Sequence, residues 1–116
     1  MLEAGIALAL LITLSAAGLA LAVSPPAVVV WGFWVVGAGL AFGVPTGLVY
    51  HVALRRALLE AGRLPARWWL QPTALHGALP EAARARVLGW CAAGALGFVV
   101  TVAGCVLVAI GAVRTL

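Results

Sequence analysis

Two long uncharged runs dominate this chain, and a dense charged segment separates them. No residue from Ala4 to Leu54 carries a charge, over 51 positions, and none from Val87 to Val113, over 27. The interval Arg55 to Arg86 holds eight of the ten charged side chains: Arg55, Arg56, Glu60, Arg63, Arg67, Glu81, Arg84 and Arg86. A helix crosses a hydrocarbon core of about 30 Å with roughly 20 apolar residues. The second run fits one span. The first fits two, provided something interrupts it, and Ser24-Pro25-Pro26 does. Two prolines remove two backbone donors and push the preceding residue out of helical geometry.

The expected fold class is therefore an all-α membrane protein. Residues 1–116 form a single transmembrane domain: a helical hairpin plus a third span, with an interfacial Trp/Arg/Pro-rich cytoplasmic loop. The first span covers about 3–23. The second covers about 26–54 and extends to about 61, stopping at Gly62. The loop covers about 63–79 and the third span about 80–112. Pro80 is pre-set for a first helical turn, and Glu81 sits where the helix dipole favours an anion. A cleaved leader is the competing reading of the first span. It is disfavoured because the residues before the apolar stretch include Glu3 and no Arg or Lys.

Composition agrees with the pattern. Of 116 residues, 66% are hydrophobic and 9% charged, against about 25% charged in an average soluble domain. A small globule in water needs more polar surface than ten charges supply. Net charge is +4, with seven Arg, no Lys, three Glu and no Asp. Six of the Arg fall in the short 55–86 segment, which places it on the cytoplasmic side of the cell (inner or plasma) membrane. The N-terminus is then inside and the C-terminus outside, with Arg114 on the far side. The basic cluster is explained by topology, so nucleic acid is not an expected partner. Trp31 and Trp34 near one end of the second span and Tyr50 near the other are 19 residues apart at most, roughly 28 Å along a helix. That spacing reads as an aromatic belt at both headgroup levels.

Candidate interaction residues follow from spacing. Gly39, Gly43 and Gly47 recur every four residues, with Ala93, Gly97 and Thr101 as their counterparts in the third span. Small residues at such intervals let helices approach closely. Their partner is another helix of this chain, another membrane subunit or a copy of the chain. In the loop, Arg63, Arg67, Trp68 and Trp69 suit either the lipid interface or a docked partner, since Trp and Arg serve both. Pro45 removes one helical hydrogen bond in mid-span, as a kink or a hinge. His51 and His76 are candidate ligands to haem or a transition metal, although His76 lies among turn residues. No cofactor is strongly implied and no metal site is expected. Cys91 and Cys105, 14 residues apart on one helix, are too distant to bond each other.

No acid lies deep in a span, and there is no P-loop, H-E-x-x-H, G-x-S-x-G or dinucleotide fingerprint. A non-enzymatic role is thus expected: an accessory or stabilising subunit of a larger membrane complex, or a homo-oligomer. The alternatives are a small oligomeric channel or carrier bent at Pro45, and a haem-, quinone- or lipid-binding redox component using His51 and His76.

Overall fold

The computed structural model describes residues 2–116. The chain is an all-α membrane protein with three helices long and apolar enough to cross a bilayer. They are α1 (Leu2–Ala22), α2 (Pro25–Glu60) and α3 (Glu81–Thr115), with a 3-10 helix, Pro72–Ala78, between the last two. This short helix falls within the segment the sequence suggested as loop, and α3 runs three residues beyond the expected end.

The helix ends follow local chemistry. Pro25 and Pro26 occupy the first two positions of α2, where an N–H has no helical partner anyway. The Ser24 carbonyl accepts the first helical bond, from the Val28 N–H at 3.1 Å. At the other end Gly62 takes φ 67°, which a side chain would resist. The Gly62 N–H reaches the Leu59 carbonyl at 3.1 Å and the Arg63 N–H the Leu58 carbonyl at 2.9 Å. This paired arrangement closes the helix and satisfies its last carbonyls. Helix α2 continues unbroken through Pro45. Beside it the buried Thr46 hydroxyl donates to the Phe42 carbonyl at 2.8 Å, sharing with Gly43 at 3.2 Å.

Contacts divide the chain into two compact units, Met1–Gly39 with Val99–Leu116, and Leu40–Phe98. In the first, α2 and α3 meet backbone to backbone. A Cβ added at Gly104 would lie 2.6 Å from the Val36 nitrogen, and one at Gly32 would lie 2.8 Å from the Val108 nitrogen. One at Gly39 would lie 2.6 Å from the Thr101 nitrogen, and one at Gly111 3.0 Å from the Pro25 carbonyl oxygen. Partner numbers fall along one helix as they rise along the other, so the pair is antiparallel. Contact positions step by four and three: 25, 29, 32, 36 and 39 on α2, 101, 104, 108 and 111 on α3. That alternation averages 3.5 residues and holds the contact stripe on one side of each helix, the left-handed packing mode.

Helix α1 joins this unit at its last turn. Ala20 is its buried residue among those described, and an apolar 18-residue stretch of α1 is 6% buried, against 17% for such a stretch of α2 and of α3. The Arg114 guanidinium donates to the Ala20 carbonyl and, at 2.9 Å, to the Val23 carbonyl. A cation at a helix C-terminus satisfies free carbonyls and opposes the negative end of the dipole. An apolar groove of about 210 Å³ lies beside this turn, lined by Leu19, Val23, Trp31 and Leu107 among others.

The second unit packs differently. Tyr50, Leu54, Ala57, Leu58, Leu79 and Val87 form a buried cluster, with Leu54, Leu58 and Val87 essentially inaccessible. Gly43 meets Gly97, and Gly94 meets the backbone of Gly47.

Two substitutions test the close approach. Gly104→Ala is expected to cost about 1–3 kcal/mol, because its Cβ meets backbone that cannot move aside. Gly37→Ala, with nothing within 4 Å, should be neutral or slightly stabilising. Thermal melts of both in the same detergent measure the difference. Arg114→Gln should lower stability by about 1 kcal/mol, read as a lower melting temperature and faster proteolysis of α1.

Candidate functional site

The residues singled out by sequence gather at two places. The first is the helix–helix contact. Gly39 is buried against Thr101 and Gly43 is packed on Gly97. The space where a Gly47 side chain would go is open, while its backbone is approached by Gly94. Gly94, next to the expected Ala93, makes the contact. Gly32, Gly104 and Gly111 make equivalent contacts that a strict four-residue spacing does not reveal. The sequence signal for them is the alternating four-and-three step. With Gly39 and Gly43 covered by α3, the small-residue face of α2 is occupied within the chain itself.

The second place is the end of the Leu40–Phe98 unit, where the loop folds back on α2. The Tyr50 hydroxyl and His76 Nε2 are hydrogen-bonded at 2.6 Å, the donor depending on the histidine tautomer. Their rings meet edge-on, 5.8 Å between centroids. The His51 ring also meets Tyr50 edge-on, 5.1 Å between centroids, and its Nδ1–H donates to the Gly47 carbonyl at 2.8 Å. Trp68 completes the group 6.2 Å from His51 and packs against the buried cluster, as do Leu64, Leu75 and Cys91. Tyr50 is therefore not a belt residue facing headgroups. It is buried, and its hydroxyl is matched by a polar partner, which is what allows a tyrosine inside an apolar cluster.

Both histidines lie in this group, yet each already has a ring nitrogen engaged. Among the described residues, no three His, Cys, Asp or Glu side chains converge as a metal site would require. The cluster fastens the loop. The 3-10 helix brings His76 to Tyr50, and two arginines hold its end. Arg63 donates to the Ala78 carbonyl at 3.1 Å and Arg84 to the Leu79 carbonyl at 3.3 Å. Of the four loop residues proposed for docking, Trp68 is half-buried inside the unit and Arg63 is turned to the backbone, while Arg67 and Trp69 are exposed.

Tyr50→Phe leaves His76 without its partner and should cost about 1 kcal/mol. In a double-mutant cycle with His76→Ala, the coupling should be about 0.5–1.5 kcal/mol. Melting of the four proteins, with the fluorescence of the nearby Trp68 followed alongside, gives the coupling directly.

Comparison with protein-family models, with curated proteins and with solved structures returns no match to this chain.

Proposed function

We propose that this chain is a small non-catalytic membrane subunit that works by helix packing, either as an accessory, stabilising component of a larger membrane assembly or as a homo-oligomer. The observation that carries this reading is the state of α1. Its length crosses a bilayer, but among its described residues its own chain covers only Ala16, Ala17 and Ala20, near its end. Gly5 and Gly18 have nothing within 4 Å, so they offer close approach to a helix from outside. Lipid alone solvates such a helix at little cost, and helix association in a bilayer comes from close packing rather than from apolarity. The unfilled small positions, more than the exposed leucines, favour a helix as the neighbour. The covered glycines of α2 and α3 are already spent inside the chain and do not support self-association through that face.

In this reading the membrane is the inner or plasma membrane, with residues 55–86 and the N-terminus cytoplasmic and the C-terminus outside. The arginine distribution supports the orientation.

Replacing Cys91 and Cys105 by Ser and placing a single cysteine at Gly18 or Leu14 tests the packing. Oxidative cross-linking in native membranes should join α1 to another chain, and mass measurement in mild detergent should exceed one 116-residue chain. A lone stable chain, with neither position cross-linked, would overturn the proposal. In the same background, Arg67→Cys should react with a membrane-impermeant maleimide only after the cells are opened. Labelling of intact cells would reverse the orientation.

A further inference from the structure

Of the seven arginines, three are occupied by backbone carbonyls: Arg63, Arg84 and Arg114. Arg56 and Arg86 are not. Among the described residues neither has a hydrogen-bond or ion-pair partner, and both line one groove between α2 and α3. The other walls are Val49, Val52 and Ala53 from α2 and Trp90 from α3. On α2 these positions recur at three- and four-residue steps, which is one helical face ending in Arg56. On α3, Arg86 and Trp90 are four apart and share a face.

The two helices run in opposite directions here, so the polar ends coincide. Arg56 and Arg86 stand at the charged end of the groove, and Val49 and Trp90 lie further into the apolar span. No acid lines it. Two guanidiniums above an apolar slot with an indole at its side match one chemistry: a phosphodiester carrying hydrocarbon chains. Guanidinium pairs with phosphate in a bidentate, charge-assisted way, and basic pockets between spans suit anionic headgroups. The volume is about 190 Å³, below the roughly 300–1,000 Å³ of sites that enclose a drug-sized ligand. It takes the phosphate and glycerol shoulder, and the chains must leave along Val52 and Val49 into the bilayer.

We infer that this groove is a binding site for an anionic phospholipid, held through its phosphate by Arg56 and Arg86. The site rests on the membrane-spanning fold and holds whether or not the chain joins a larger assembly.

The test is the thermal melt of the full chain in mild detergent, with and without added dioleoylphosphatidylglycerol, together with native mass spectrometry to count bound lipids. The anionic lipid should raise the melting temperature by roughly 5 °C and leave one lipid retained. Dioleoylphosphatidylcholine and inorganic phosphate should do neither. The double variant Arg56→Gln, Arg86→Gln should lose the shift, whereas Arg55→Gln, Arg67→Gln, which removes the same charge elsewhere, should keep it. Val52→Trp, which fills the slot and leaves every charge in place, should also lose it, so a failure of the double variant to fold does not decide the outcome. An equal shift with phosphatidylcholine or with free phosphate would overturn the site. So would a shift that survives Val52→Trp, or one lost equally with the Arg55 and Arg67 pair.

Discussion

The structure depends on how closely α2 and α3 approach. In hydrocarbon two apolar helices gain nothing by leaving lipid for each other, since lipid tails are as apolar as leucine. What remains is dispersion between atoms near contact distance, and that falls off steeply with a gap. Removing the side chain is the way to close the gap. Gly32, Gly39, Gly104 and Gly111 do so, with the partner backbone within about 3 Å of where a Cβ would stand. Once α2 and α3 are fixed, α1 needs little more than its last turn. Arg114 supplies that hold, from the end of α3 to the end of α1.

The two units obey different packing chemistry along the same pair of helices. In the Leu40–Phe98 unit, buried side chains are large: Leu54, Leu58, Tyr50 and Val87. In the other, the buried hydrophobic residues described are Ala20 and Val28. These residues straddle the edges of the arginine-rich stretch: Tyr50 and Leu54 precede Arg55, Leu58 lies within it and Val87 follows Arg86. Where such a side chain leaves water, burying a leucine is worth roughly 1.5–3 kcal/mol. Where lipid surrounds a helix that gain disappears, and fit decides. At about 54 Å, the 36 residues of α2 exceed the hydrocarbon thickness. One helix therefore meets both solvents.

The arginines divide in a related way. Counted along the chain, they are the basis of the orientation we propose. Placed in space, Arg63, Arg84 and Arg114 close helix ends by donating to carbonyls, and Arg56 and Arg86 remain available beside an apolar groove. The same charge thus closes helix ends and fastens the loop, and in our proposals it also serves orientation and lipid recognition. Which contribution each one makes depends on whether a free carbonyl lies within its reach.

The amino-acid sequence alone determined that the chain is helical, crosses a membrane and turns at Ser24-Pro25-Pro26 and near Gly62. Each of these is a local property: apolar length, a missing donor, a left-handed backbone position. It also marked Gly39, Gly43 and Thr101 as close-packing positions. The tertiary structure alone decided that the contact steps by four and three, which brought in Gly32, Gly94, Gly104 and Gly111. It moved Tyr50 from a headgroup belt to the buried partner of His76, turned part of the loop into a 3-10 helix and gave Arg114 the end of α1 to hold. These depend on which surfaces of distant segments meet, and short-range spacing cannot specify that. A hydroxyl and an imidazole 26 residues apart carry no sign of each other until the chain between them has folded.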